Sequence, residues 1–337
     1  MRTKTKSKIQ TASIAAGNFV PEKFARGRRH DINLDIGLNS YGVSIPLILM
    51  RGAEDGKTLV VMAGVHGDEY EGVRAILELC DELDPQTMRG DVLAVTAANP
   101  PALWAGTRTS PLDGCNMARL FPGNEKGSPS EVIAFHLSQS IIARGNFFLD
   151  LHSAGVKLLM PSMVGYDAQD ENSRAAAIAF AAPVIWGHPT VSAGRSISFA
   201  HSRGIPWLYT EARGAGRIAP DDLQMFKRGA RNLLAHLGIL NEEKEDSPIQ
   251  HRLYGDGDTD ASLIAGESGF FVPSVELLDQ VSKGDELGRT LSLHGDTLEM
   301  FSAPQSGVVG LIRAFPIVSC GDATFLITET EPINIPE

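Results

Sequence analysis

The 337-residue sequence has little cysteine, no long apolar run and no excess of basic residues. Its three cysteines, Cys80, Cys115 and Cys320, are odd in number and far apart, which argues against a disulfide framework and a Cys-x-x-Cys metal pair. No segment approaches the ~18–20 apolar residues that a membrane-spanning helix needs. The charged N-terminus also lacks the apolar stretch of a secretory signal. We therefore expect a cytoplasmic protein.

The charge balance argues against nucleic acid as a partner. With 41 acidic residues against 30 lysines and arginines, the formal net charge is −11, so no basic excess is available to meet phosphates. Residues 1–31 are locally basic, and we interpret them as a solvated N-terminal segment. The hydrophobic fraction of 43% is ordinary for a globular protein with a sizeable core.

Apolar runs alternate with helical patterns from residue 32 to residue 240. Runs such as "TLVVM", "FFLDLH" and "PWLYTEA" predict strands, and the apolar spacing predicts helices over 71–83, 129–143, 171–181 and 221–237. Such alternation is typical of an α/β fold with a mixed, mainly parallel central sheet flanked by helices. We therefore predict one α/β domain over residues 32–240.

The chain changes character after residue 240. The charged segment "NEEKEDSPIQ", 241–250, is interpreted as a linker, and residues 251–337 are short β segments separated by glycine and aspartate. "VSKGD" at 281 and "VSCGD" at 318 form a weak repeat, which suggests a small all-β domain with pseudo-twofold symmetry. This region resembles the half-repeats of biotinyl and lipoyl carrier domains, which implies a barrel-sandwich-like fold. It lacks the lysine that those domains carry between the repeats, so we expect no attached cofactor.

Three predicted strands end in polar groups that are costly to bury. "HGDE" follows the first strand, His152 ends the second and Glu211 ends the third. In open α/β sheets such groups gather at the carboxyl edge of the strands. Imidazole nitrogen and carboxylate oxygen are usual zinc ligands, and a catalytic site has three protein ligands and one open position. We predict that His66, Glu69 and His152 bind a metal, with Glu211 positioned to take a proton from water.

Each of these residues also has an ordinary structural interpretation. A histidine at a strand end can be a hydrogen-bonded core residue, and Glu211 could pair with Arg213. Other histidines, including His188 in a predicted loop, are weaker candidates for a ligand. Asp150 lies two residues before His152 and on the same strand face, so it could accept a hydrogen bond from the imidazole.

The segments "GVHGDEYEG", "DLHSAG" and "YTEARG" together resemble the zinc signature of the succinylglutamate desuccinylase/aspartoacylase family, within the carboxypeptidase-like metallohydrolases. The resemblance covers roughly residues 40–240. It implies a zinc carboxypeptidase-like fold, one Zn²⁺ per chain held by His66, Glu69 and His152, and Glu211 as general base and acid.

Residues 105–123, "AGTRTSPLDGCNMARLFPG", most closely resemble the bacterial branch of N-acetyl-diaminobutyrate deacetylases. The resemblance implies that Arg108 polarises the scissile carbonyl and that Arg119 binds the substrate carboxylate. Guanidinium groups suit both tasks, through charge near an oxyanion and through a bidentate fork. Ala118 stands where the family has asparagine, and nearby Asn116 is a candidate to replace that amide in substrate binding.

The resemblance implies zinc-dependent hydrolysis of the amide bond of a small N-acyl amino acid. A zinc carboxypeptidase acting on peptides would share the metal ligands, so they do not separate the two activities. A non-catalytic binding protein with a decayed site is a third alternative, which Ala118 supports. We expect a small-molecule partner, with no nucleic acid and no membrane, and the sequence leaves a homo-oligomer open.

Overall fold

A computed structural model describes residues 11–38, 41–255, 257 and 259–331. Residues 1–10 of the predicted basic segment, and 332–337 of the predicted C-terminal domain, lie outside the described residues. The strands of the described part are β1 (Ala12–Ala15), β2 (Arg28–Leu38), β3 (Tyr41–Arg51), β4 (Glu54–Ala63), β5 (Arg89–Val95), β6 (Phe147–Leu151), β7 (Leu158–Leu159), β8 (Met163–Asp167), β9 (Val184–His188), β10 (Trp207–Glu211), β11 (His251–Tyr254), β12 (Leu263–Ile264), β13 (Gly269–Pro273), β14 (Gln280–Val281), β15 (Glu286–Leu291), β16 (Thr297–Ser302), β17 (Gly307–Arg313), β18 (Ile317–Val318) and β19 (Ala323–Thr330).

Four of the six α-helices in the described part lie where the sequence patterns predicted helices, whereas α2 and α5 were not predicted. They are α1 (Glu71–Glu82), α2 (Pro100–Ala105), α3 (Pro129–His136), α4 (Glu171–Phe180), α5 (Ser196–Ser202) and α6 (Pro220–His236). The predicted helix over 129–143 is three consecutive pieces, because α3 continues as a π turn over Leu137–Ile141 and a 3-10 turn over Ile142–Arg144. Within the described ranges, no helix is both long and apolar enough to cross a membrane.

The central sheet is mixed, as predicted. Its strand order is β1-β2-β3-β5-β4-β6-β10-β8-β9-β11. The inner strands β5, β4, β6 and β10 run parallel to one another, and β8 is antiparallel to β10. The expectation of an α/β fold is therefore confirmed.

Apolar cores lie on both faces of this sheet. Successive side chains of a strand point to opposite faces. Leu59 and Val61 of β4 pack into one core with α1, α4 and α6, whereas Val60 and Met62 pack into the other with α3 and α5. Both faces of the second half of β4 are buried, and this explains why residues 59–63 form a continuous apolar run rather than an alternating one.

The predicted domain boundaries can be placed on the observed strands. β2 pairs with β3 from Arg28 onwards, so residue 32 lies inside a strand of the central sheet. Residues 241–250 contain no helix or strand. β11 pairs with β9 in parallel and with β19 in antiparallel, so C-terminal strands continue the edge of the central sheet. The division of the chain into 1–31, 32–240, 241–250 and 251–337 stays a prediction.

The C-terminal region also contains a separate antiparallel sheet of order β16-β15-β13-β18. The sequence repeat corresponds to a repeated turn, β14 to β15 and β18 to β19. In each turn the aspartate accepts the backbone N–H of the serine, at 2.8 Å for Asp285 and Ser282 and at 2.9 Å for Asp322 and Ser319. A barrel-sandwich arrangement of the whole region stays a prediction.

Candidate metal centre

The three polar strand ends meet at one edge of the sheet. β4, β6 and β10 are neighbours and run parallel, with Asp150 of β6 opposite Met62 on one side and Tyr209 on the other. Their carboxyl ends therefore lie side by side. His152 directly follows β6 and Glu211 ends β10, so the sheet brings together residues that are distant along the chain.

The turn after β4 directs His66 and Glu69 inward. Gly64 has a positive φ of 69°, a conformation that glycine adopts without strain. At Gly67 an added Cβ would lie 2.0 Å from the carbonyl carbon of Ala102, so only glycine fits under α2. His66 and Glu69 are consequently only 3% and 4% exposed.

His66, Glu69 and His152 converge as a ligand set. The Nδ1 atom of His66 is 2.7 Å from Oε1 of Glu69, and the Nδ1 atom of His152 is 2.9 Å from Oε2. The two imidazole rings have their centres 5.2 Å apart, and the three candidate ligand atoms lie within 4.8 Å of one another. Two imidazole nitrogens and a carboxylate suit zinc. Metal binding would replace the protons shared in these pairs, because ligation requires neutral imidazole and carboxylate.

Each imidazole has a second partner on its far side. The Nε2 atom of His152 is 3.2 Å from Oδ2 of Asp150, the contact expected from the sequence. The Nε2 atom of His66 is 3.0 Å from Oδ1 of Asn116, which also accepts the N–H of Ala118 at 3.1 Å. These acceptors favour the tautomer in which Nδ1 faces the metal position. Direct contact between Asn116 and a substrate stays a prediction.

Within the ligand set, the charge of each side chain offsets the effect of burial on its neighbours. Burial lowers the pKa of His66. Burial would also lower the pKa of His152. The carboxylates of Asp150 and Glu69 outweigh this effect and raise the pKa of His152 well above its usual value. The two histidines in turn overcome the effect of burial on Glu69 and hold its pKa well below the usual range. Glu69 therefore keeps the negative charge that a metal ligand needs.

Glu211 lies in the same pocket as His66 and His152. Its Oε2 atom is buried and makes no hydrogen bond to any residue that the structure describes. Two effects raise the pKa of Glu211 to about 8: burial is the larger, and the negative charge of Glu69 is the next. The alternative pairing with Arg213 is not found among the described contacts, since the Nε atom of Arg213 is directed to Asp222 at 3.6 Å.

Both predicted arginines line the pocket. Nη1 of Arg108 donates to Oε1 of Glu69 at 3.1 Å, so its charge lies beside the ligand set. Arg119 is engaged by Asp260 through two hydrogen bonds of 2.8 Å. The fork expected for a substrate carboxylate is thus formed with a side chain of the protein itself.

The sequence did not point to several pocket residues, namely Arg195, Trp207 and Tyr209, and the prediction of His188 in a loop was wrong. His188 ends β9, and its Nε2 atom lies 2.9 Å from the hydroxyl of Tyr209. Tyr209 and Trp207 precede Glu211 by two and four residues on the same strand. The twofold periodicity of a strand could have placed them on the face of Glu211.

Comparison with known proteins finds one family model and several relatives that match most of the chain or its central part. Residues 55–237 match the model of the succinylglutamate desuccinylase/aspartoacylase catalytic domain. The chain is 31% identical over 296 residues to the N-alpha-acetyl-L-2,4-diaminobutyric acid deacetylase of Halomonas elongata, covering 85% of this chain and 86% of that protein.

Solved structures show the same fold. The product-bound ectoine utilization protein EutE of Ruegeria pomeroyi superposes with a TM-score of 0.82 at 28% identity, over 91% of this chain and 97% of that one. A succinylglutamate desuccinylase from Silicibacter sp. TM1040 gives 0.80 at 27% identity, over 90% and 95% of the two chains.

Proposed function

Since the chain belongs to the succinylglutamate desuccinylase/aspartoacylase family, we propose that it is a zinc-dependent deacylase that hydrolyses the amide bond of a small N-acyl amino acid. The observation that carries this proposal is the convergence of His66, Glu69 and His152, with Glu211 in the same pocket. The three ligands would hold one Zn²⁺. When bound, zinc acts as a Lewis acid and lowers the pKa of a bound water to about 7.

Glu211 is the proposed proton carrier of the reaction. Its carboxylate takes a proton from the attacking water and then delivers a proton to the leaving amine. The buried Oε2 atom has no described hydrogen-bond partner, which leaves an acceptor in the pocket. Burial raises the pKa of Glu211 to about 8, and the positive charge of a bound zinc would lower it again, so the group could both accept and release a proton near pH 7.

The arginines would divide the recognition of the substrate. Arg108, next to Glu69, supplies positive charge for the oxyanion that develops on the scissile carbonyl. Arg119 would bind the substrate carboxylate through the planar fork of its guanidinium. Asn116 lies in the same loop and is a candidate for a further polar contact, in place of the amide that Ala118 lacks.

The alternatives differ in the size of the substrate. A zinc carboxypeptidase would need room for a peptide, whereas Gly257 and Thr259 of the C-terminal region line the pocket together with Ala118 and Arg119. This arrangement favours a small substrate. A binding protein with a decayed site is disfavoured because His66, His152 and Glu211 line one pocket and Glu69 contacts both histidines. The cytoplasmic location, which the three free cysteines fit, remains part of the proposal.

The test is a substrate panel on protein purified without chelator. We expect hydrolysis of N-acetyl amino acids and about one zinc per chain by elemental analysis. N-acetylated 2,4-diaminobutyrate is the first compound to assay, given the name of the Halomonas relative. Preferential release of C-terminal residues from dipeptides would support a carboxypeptidase. Less than one zinc per ~10 chains, with no turnover of either panel, would support a decayed site.

A further inference from the structure

A carboxylate of the C-terminal region occupies the guanidinium of Arg119. The 3-10 turn Thr259–Ala261 follows β11; Thr259 lines the pocket, and Asp260 contacts Arg119. Nε of Arg119 donates to Oδ2 of Asp260 and Nη2 donates to Oδ1, both at 2.8 Å. Two parallel N–H···O bonds are the geometry with which a guanidinium binds a free carboxylate. Asp260 therefore makes the contact that the proposed function assigns to the substrate.

A second arginine shares the same carboxylate. Nη2 of Arg195 donates to Oδ2 of Asp260 at 3.2 Å. The side chains of Arg119 and Arg195 are 25% and 16% exposed, whereas that of Asp260 is 64% exposed. The arginines thus lie on the inner side and the aspartate on the solvent side. Asp260 can leave this position without exposing apolar core.

The donors of Arg119 limit what can bind beside Asp260. The edge formed by Nε and Nη2 is taken by Asp260, and Nη1 donates to the carbonyl of Ala118 at 3.3 Å. A second carboxylate in the same plane would meet the negative charge of the first. Arg119 holds the pKa of Asp260 below its usual range, so this carboxylate is charged at neutral pH. A substrate carboxylate must exchange with Asp260 to obtain the fork formed by Nε and Nη2.

We propose that Asp260 is a built-in competitor of the substrate, which occupies Arg119 in the free protein and is displaced by the substrate carboxylate. The proposal rests on the role of Arg119 in the proposed function. Asp260 thereby makes the protein specific for substrates with a carboxylate. Only a substrate whose carboxylate reaches Arg119 gains enough binding free energy to displace Asp260. Uncharged analogues, such as N-acyl amino acid amides, leave the contact in place.

The first test is the kinetics of Asp260→Asn in the zinc-loaded, full-length chain. Asparagine keeps the size of the side chain and removes its charge. We expect the KM for an N-acetyl amino acid to fall about two- to fivefold, the size expected for an exposed ion pair, with kcat changed by less than about twofold. Asp296→Asn makes the same chemical change in an exposed turn of the C-terminal region and should leave KM unchanged. A KM that rises or stays constant in Asp260→Asn would overturn the competition.

The second test measures binding without turnover, by calorimetry with succinate as a probe dicarboxylate. We expect succinate to bind Asp260→Asn about two- to fivefold more tightly than the native chain, and Arg119→Ala to abolish binding in both backgrounds. If no N-acyl amino acid is hydrolysed but this pattern holds, the proposed function fails and the competition stands. If hydrolysis is observed but Asp260→Asn neither lowers KM nor binds succinate more tightly, the competition alone fails. No measurable succinate binding by any variant would also contradict it.

Discussion

Glu211 and the candidate metal ligand Glu69 differ in how their carboxylate oxygens are hydrogen-bonded. Both oxygens of Glu69 are hydrogen-bonded to histidines, whereas Oε2 of Glu211 has no partner within the described part of the chain. Leaving a buried carboxylate oxygen unpaired costs free energy, and such costs are tolerated mainly at functional sites. The role of Glu211 can therefore be tested without disturbing the ligands.

Glu211→Gln should keep the metal and lose the activity. The amide has the same shape but cannot accept and return a proton, so we expect kcat to fall at least ~100-fold. Zinc content, measured by elemental analysis, should stay at the native level. Glu276→Gln, an exposed substitution in the C-terminal region, is the matched control and should retain native kcat. Native turnover by Glu211→Gln would remove Glu211 from its proposed role.

The free cysteines should differ sharply in reactivity. Burial raises the pKa of the Cys80 thiol to about 12, whereas Cys320 is exposed in a turn. Because the thiolate is the reactive form, iodoacetamide at pH 8 should modify Cys320 and leave Cys80 unmodified in the native chain. Peptide mass spectrometry would measure both sites, and Cys80 should react only after addition of urea. Equal rates at the two cysteines in native protein would contradict the described packing.

Single residues also show what the sequence could and could not predict. His66, Glu69, His152 and Glu211 were identifiable because each ends a strongly apolar strand or follows one. Two contacts could not be identified from the sequence, namely that of Asn116 with His66 and that of Asp260 with Arg119. They join residues that are 50 and 141 positions apart, and no periodicity relates such residues. Such pairs are determined by how loops pack on the sheet.

At the scale of elements, the turn after β4 does most to position the site. It must pass close to α2 while bringing His66 and Glu69 within reach of His152. Its strand and helix neighbours were predictable, because β4 is apolar on both faces and α1 has a clear apolar stripe. The π turn that follows α3 was not predictable, because its sequence "LSQSI" has no signal that separates it from an ordinary helix.

Gly67→Ala should destabilise the protein and weaken the site. The new Cβ would lie 2.0 Å from backbone atoms of Ala102, which cannot move as a flexible side chain would. Overpacking of this kind typically costs about 1–3 kcal/mol, so we expect a lower urea midpoint and reduced zinc retention. Gly37→Ala is the control, because an added Cβ there meets nothing within 4 Å. A native urea midpoint for Gly67→Ala would contradict the packing of α2 on the turn.

At the scale of the whole molecule, the catalytic and C-terminal regions share a core. Trp186 of β9 and Leu253 of β11 pack with Val308, Leu311 and Leu326 in one buried cluster. The sequence suggested a linker before residue 251 and two units. It did not indicate that β11 and β19 would extend the central sheet, because short strands carry little information about their partners.

A chain that ends at residue 250 should therefore fold poorly. Truncation would expose the edge of β9 and the indole of Trp186, which is fully buried in the intact protein. We expect loss of the cooperative thermal transition by circular dichroism and rapid proteolysis. Removal of residues 1–10 is the control, because it leaves every contact described above in place. A truncated chain with a native-like transition would show that the two regions fold independently.

The candidate ligands follow separate strands, and this has a consequence for folding. Glu69 and His152 are 83 residues apart, so they can share an ion only after β4 and β6 have paired. Zinc that binds the native chain and not the unfolded one would shift the folding equilibrium towards the native state. Unfolding curves recorded with and without a chelator thus report on occupancy of the centre, and they do so before any substrate is known.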